Sequence, residues 1–236
     1  MDTCIPIGRN GKMKTVSKSL YGSLEKKYGP LWPWPDDYFS DDPFKNLVLT
    51  ILSQNTSESN CLRAYKGLKD RFEITPQALI AAPEKEIRKA IKSGGLYNIK
   101  AKRLKDVAKV VIEEYNNNLD SVLSLPKEDA KKQLLKLPGI GDKTADVILT
   151  TRHSYKEVIP VDTHMDRIAK RIGLVEKKAN YEKTQEALKK FLPSKYRERG
   201  AGLLWLLAKH TCKPQNPKCK ECVLKGMCEY SKRISQ

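Results

Sequence analysis

The stretch Asp129–Thr151, DAKKQLLKLPGIGDKTADVILTT, decides the fold. Apolar residues recur at helical spacing on both sides of Leu137–Thr144, LPGIGDKT. Pro138 stops the first helix, and Gly139 and Gly141 permit positive φ or a close backbone approach. The second helix starts near Asp142. Its first backbone N–H groups have no internal partner and point outward with the positive end of the dipole, which suits a phosphate oxygen. An ordinary tight turn is the plainer reading, because a lone GxG is weak evidence. A Walker A loop is excluded, since Lys143 follows Asp142 and not glycine.

Outward from this hairpin, a second segment has the same plan. Residues 86–111, EIRKAIKSGGLYNIKAKRLKDVAKVV, read as helix, glycine turn, helix. Leu104, Val107, Ala108, Val111, Ile112 and Tyr115 build one apolar face there. Helical period also covers VSKSLYGSLEKKYG, FKNLVLTIL, MDRIAKRIGL, EKTQEALKKFL and GAGLLWLLAKH. No segment alternates with period two for long enough to demand a sheet. An all-α fold of about ten helices follows. The connector GPLWPWPDDYFSDDPF is dense in Pro, Asp and aromatics and is expected to pack its tryptophans. Residues 1–14 are expected to form a flexible basic tail.

The chain has 236 residues and a formal net charge of +17, with 45 Lys and Arg against 28 Asp and Glu. Such an excess favours a polyanionic partner through counterion release, although a lysine-rich surface with no partner would have the same composition. No run of about 20 apolar residues suggests a membrane span. Residues 1–14, MDTCIPIGRNGKMK, lack the apolar core of a signal peptide, so an intracellular location is expected, cytoplasmic or nucleoid in a prokaryote. In such a compartment six cysteines point to thiolates or metal ligands before disulfides.

Two further stretches carry chemistry. In VIPVDTHMDRIAKRI, Thr163 and Asp166 have capping-box spacing and mark a helix start. Asp162 immediately precedes it, and capping is its plainest role; His164 reads as structural. In CKPQNPKCKECVLKGMCEY, Cys212, Cys219, Cys222 and Cys228 follow C-x6-C-x2-C-x5-C. Four thiolates this close require a neutralising cation or cluster. Both zinc and a four-thiolate iron–sulfur cubane fit. Lys213, Lys218 and Lys220 decorate the loop and could touch phosphates, whereas Cys4 and Cys61 need no function.

LPGIGDKTADVIL, then VDTH, then the four-cysteine loop resembles endonuclease III of the helix-hairpin-helix DNA glycosylases. The resemblance runs from about Asp42 to Tyr230. It implies a two-domain all-α fold. Residues 35–155 would form a six-helix barrel containing the helix-hairpin-helix. Residues 15–34 plus 156–236 would form an iron–sulfur cluster domain, with DNA bound across the cleft. It implies a [4Fe–4S] cluster on Cys212, Cys219, Cys222 and Cys228. Lys143 falls on the family's Schiff-base lysine and Asp162 on its catalytic aspartate. Gln54 falls on the glutamine that fills the gap left by an extruded base, and Leu96 on the residue that wedges into the opposite strand. Asn55, the hairpin residues Leu137, Pro138, Gly139, Ile140 and Gly141, and Lys218 are the other expected DNA contacts. The partner would be double-stranded DNA with damaged bases or abasic sites, and the protein a monomer.

The implied activity is that of a bifunctional glycosylase and abasic-site lyase acting on oxidised pyrimidines. A free lysine titrates near 10.4, so a nucleophilic Lys143 must be depressed towards about 7–8. Asp142 stands where the family commonly has a basic residue, and is therefore expected to point at solvent or cap its helix. Asn55 replaces a small residue of bacterial members. Adenine glycosylases share the cysteine loop but lack the lysine, and need a glutamate near Thr50 that this chain lacks. The 8-oxoguanine glycosylases keep the lysine but lack the cluster. The alternatives are a G/T or G/U mismatch glycosylase, a non-catalytic DNA-binding hairpin protein, and a zinc-binding interaction protein.

Overall fold

The computed structural model describes residues 14–33, 39–152, 155 and 157–234. Among them the chain forms thirteen α-helices joined by turns and short 3-10 segments, with no strand. Three of these, residues 76–81, 120–123 and 229–234, have six residues or fewer. Elements of two turns or less show no apolar period, and this explains the expectation of about ten. Residues 1–13 of the expected tail, Cys4 and Trp34 of the connector lie outside the described residues. Lys14, at the end of that tail, is buried, and its amine donates to Ile172 O at 2.8 Å and to Glu229 at 2.9 Å. Trp32 of the connector is 37% exposed, with the Arg199 guanidinium over its ring.

The chain divides into two compact units, residues 33–155 and residues 1–32 with 156–236. The first holds α2 (Pro43–Ser53), α3 (Glu58–Lys69), α4 (Pro76–Ala81), α5 (Glu84–Ala90), α6 (Tyr97–Tyr115), α7 (Asp120–Leu123), α8 (Lys127–Leu135) and α9 (Asp142–Thr150). Helix α2 is apolar on nearly every side, PFKNLVLTILS, so it becomes the core about which α3, α6 and α9 pack. Asp42 caps it, accepting from Phe44 N and Lys45 N. Lys100 is 2% exposed and donates to Leu52 O and Gly94 O. It thereby satisfies a carbonyl at the end of α2 and another in the turn before α6, and burial lowers its pKa.

The second unit holds α1 (Lys18–Tyr28), α10 (Thr163–Ile172), α11 (Tyr181–Phe191), α12 (Ser194–His210) and α13 (Glu229–Ile234). Leu24, Tyr28, Ile168, Ile172, Leu188, Phe191, Leu203 and Leu207 interdigitate in one buried cluster. Gly173, at φ +81, ends α10 in the left-handed conformation that glycine adopts without a Cβ penalty. Among the described residues no helix is long and apolar enough to cross a membrane.

Candidate active site

Helices α8 and α9 pack together, joined by the turn Lys136–Gly141. Gly139 lies at φ +72, and a Cβ there would sit 2.0 Å from Arg103 Nε. The positive φ favours glycine, and the missing Cβ leaves room for the Arg103 side chain. Leu137 and Ile140 point into the core, whereas Gly139 and Gly141 are exposed. Gly141 is the extended N-cap residue of α9 and supplies no side-chain cap. The first N–H groups of α9 are therefore left for an external acceptor. Lys143 is the second residue of this helix and is half-buried.

Asp142 is 54% exposed at the side chain and does not cap its helix. It reaches back to α8, where Lys131 Nζ lies 3.2 Å from Asp142 Oδ1 and 3.1 Å from Asp146 Oδ1. Burial alone would lower the Lys131 pKa; Asp146 and Asp142 outweigh it and raise it. Asp146 is 1% exposed, so this ion pair is the buried brace of the hairpin. The acidic residue beside Lys143 is thus compensated from the other helix.

Gln54 ends α2 and is drawn to the hairpin. Its Nε2 donates to Gly139 O at 3.3 Å and to Thr144 Oγ1 at 3.2 Å, and its Oε1 accepts from Arg103 at 2.5 Å. Asn55 follows in the left-handed region, at φ 51, and is exposed. Leu96 opens α6 at φ 48 and ψ 30 and is 51% exposed. A leucine in that conformation costs roughly 1–2 kcal/mol. Strain on an exposed apolar side chain points to an external role.

In the second unit Asp162 is the N-cap of α10. Its Oδ1 accepts from His164 N at 2.9 Å and Met165 N at 2.8 Å, and its Oδ2 accepts from Trp205 Nε1 at 3.0 Å. Asp162 thus takes the capping role expected of it; Asp166 pairs with Lys170 instead of closing a capping box with Thr163. His164 meets Arg167 through Nδ1 at 3.0 Å.

Cys212, Cys219, Cys222 and Cys228 line one pocket together with Lys218, which is itself exposed. Burial pushes the Cys222 thiol up to about 11, with its cysteine neighbours adding to the shift, and raises Cys219 likewise. Arg171 donates to Cys212 Sγ at 3.4 Å and to the carbonyls of Cys212, Lys213 and Pro214, and Arg167 donates to Cys212 O. Helix α10 thus holds the loop through two arginines. Among the described residues no three His, Cys, Asp or Glu side chains converge tightly enough to hold a single ion. Four cysteine thiols lining one pocket are a donor set of the kind that thiolate-bound metal centres use.

Arg103, Thr144, Lys131, Asp146 and Trp205 escaped the motif reading. Arg103 had one available signal: it lies two helical turns beyond Leu96, on the same stripe of α6.

The family described as HhH-GPD superfamily base excision DNA repair protein matches residues 48–194. Endonuclease III of Thermotoga maritima is 38% identical over 202 residues, covering 85% of this chain and 89% of that protein. Endonuclease III of Escherichia coli K12 is 30% identical, covering 81% of this chain and 86% of that protein. A trapped endonuclease III–DNA covalent intermediate superposes with a TM-score of 0.75 at 25% identity, covering 93% of this chain and 97% of the other. A thermostable thymine-DNA glycosylase superposes at 0.67, with 25% identity and coverage of 90% and 98%.

Proposed function

The chain belongs to the HhH-GPD superfamily of base excision DNA repair proteins, and from that membership we propose its reaction and the residues that perform it. It is a DNA glycosylase and abasic-site lyase for oxidised pyrimidines, acting on duplex DNA. The position of Lys143 carries this reading. It is an amine at the second residue of a helix whose N–H groups no side chain caps. A phosphate held by those N–H groups and by the hairpin turn, Leu137 to Gly141, would set the amine beside the backbone of one nucleotide.

The damaged base leaves the stack, which costs a few kcal/mol and favours pairs already weakened. Gln54, with Asn55 beside it, fills the vacated place and Leu96 wedges the opposite strand. Asp162 stabilises the positive charge that grows on the sugar. Lys143 Nζ bonds to the anomeric carbon, the glycosidic bond breaks, and the base departs with its electron pair. The sugar ring opens to the protonated imine. Loss of a C2′ proton then expels the 3′ phosphate, cutting the strand by β-elimination.

Cys212, Cys219, Cys222 and Cys228 would hold a [4Fe–4S] cluster. Bound there, the cluster supplies iron–thiolate bonds that neutralise four mutually repelling sulfurs. Arg171, at Cys212 Sγ, and the arginine bonds to the loop carbonyls orient that ligand set. Lys218, on the loop, would meet a phosphate. Purified protein of brown colour with four irons per chain supports the cluster, and one zinc per chain overturns it.

Borohydride should link the wild-type protein to a duplex containing an oxidised pyrimidine, and Lys143→Ala should give no adduct. Trapping of that variant at the wild-type rate would overturn the assignment of the nucleophile. A duplex panel that includes G/T and G/U mismatches separates this activity from mismatch cleavage.

A further inference from the structure

We propose that Arg103 is a positioning residue that fixes the amide of Gln54 in one orientation, and that the fixed amide sets the preference for the base on the opposite strand. The inference rests on the gap-filling role of Gln54. Arginine can only donate, so the atom of Gln54 facing Arg103 Nη1 at 2.5 Å is the carbonyl Oε1. The carbonyl of Gly139 can only accept, so the atom facing it at 3.3 Å is Nε2. The two neighbours agree, and a flipped amide would place donor against donor and acceptor against acceptor. Thr144 Oγ1, at 3.2 Å from Nε2, completes the set.

The arrangement reaches into the backbone. The Arg103 side chain lies where a Cβ of residue 139 would be, 2.0 Å from Nε and 2.4 Å from Cζ. The hairpin glycine therefore makes room for the residue that aligns Gln54. Arg103 stands 103 − 96 = 7 residues beyond Leu96, so the helix that presents the wedge also carries this anchor. Three elements, α2, α6 and the hairpin, meet on one amide group.

The orientation has a chemical consequence. Both N–H groups of the Gln54 amide have partners, and Oε1 keeps one lone pair. An orphan base must therefore offer a donor. The pairing edge of guanine offers two adjacent donors, N1–H and the 2-amino group, whereas that of adenine offers one donor beside an acceptor. The fixed amide thus favours lesions opposite guanine over lesions opposite adenine. Without Arg103 only the two longer bonds, to Gly139 O and Thr144 Oγ1, orient the amide, so the flipped orientation gains population and the difference shrinks.

The test measures single-turnover base release from thymine glycol duplexes paired with guanine or with adenine. The variants are Arg103→Met, Arg103→Lys, Gln54→Ala and the Gln54→Ala/Arg103→Met double variant. Thermal melts confirm folding, and Arg103→Ala replaces the methionine variant should that one melt below the assay temperature. Arg103→Met should lower the guanine-to-adenine rate ratio by about tenfold, the weight of one lost hydrogen bond to a charged donor. Arg103→Lys, which keeps a donor, should restore most of it, and the double variant should match Gln54→Ala. If Gln54→Ala changes the ratio while Arg103→Met leaves it alone, or if the two effects add, Arg103 does not act through Gln54 and only this inference falls. If Gln54→Ala leaves the ratio unchanged, the gap-filling role falls, and the inference with it.

Discussion

Helices α9 and α10 begin in opposite ways. Gly141 opens α9 with no side-chain cap, and Lys143 follows two residues later. Asp162 opens α10 with a carboxylate that accepts from two of the helix's own N–H groups and from Trp205. One helix start has no side-chain cap. The other is closed by an internal anion, which is thereby held in a single rotamer. A capped end fixes a carboxylate; an open end recruits a phosphate. The proposed nucleophile and its proposed electrostatic partner occupy these two kinds of end.

The largest effect should come from Asp162→Asn. Asparagine caps as well as aspartate and gives up only the bond from Trp205 Nε1, so the fold should lose no more than about 1 kcal/mol while the charge is removed. Base release should slow by about 10²–10³-fold with DNA binding retained. A larger loss of stability with lost binding would reduce Asp162 to a cap and erase the contrast.

Next is the brace behind the open end. Lys131→Met leaves Asp146, 1% exposed, without its cation and should cost about 3 kcal/mol in denaturant titration. Adding Asp146→Asn should recover most of the loss. The sign with pH follows from a raised base. The contribution is whole at neutral pH and fades only as pH climbs through the raised value, above the ordinary 10.5. Equal stability of Lys131→Met and wild type would show that the hairpin needs no such support.

The smallest effect is the sharpest in sign. Residue 141 is extended, and a Cβ there meets nothing within 4 Å, so Gly141→Ser fits and caps α9. It should stabilise the fold by about 1 kcal/mol yet weaken binding to an abasic duplex, because the hydroxyl takes an N–H group the phosphate would use. Tighter or unchanged binding would mean that the open helix start has no part in holding DNA.

Much of this was legible in the chain. Helical period runs through long segments, so the all-α class follows from residues such as Leu104, Val107, Ala108 and Val111. Pro138, Gly139 and Gly141 mark the hairpin because their backbone properties are local. The four cysteines mark a candidate ligand set because thiolates so crowded would repel one another. Short helices such as Pro76–Ala81 were not legible, having too few turns to show a period. The cap at Asp162 was legible, because it stands immediately before the helix start, whereas the capping box that Thr163 and Asp166 suggest does not form, since Asp166 pairs with Lys170.

By itself, then, the sequence determined the helical class, the hairpin with Lys143 just inside its second helix, and the cysteine loop. Each rests on neighbours in the chain or on a fixed spacing. Tertiary structure alone decided that Lys131 compensates Asp142 from α8, that Trp205 holds Asp162 from α12, and that Arg103 and Gly139 together orient Gln54. Those pairs lie 11, 43 and 49 residues apart in the case of Lys131–Asp142, Asp162–Trp205 and Gln54–Arg103. Hydrogen bonds and ion pairs act over a few ångströms, and only the packing of helices brings such distant residues within that range.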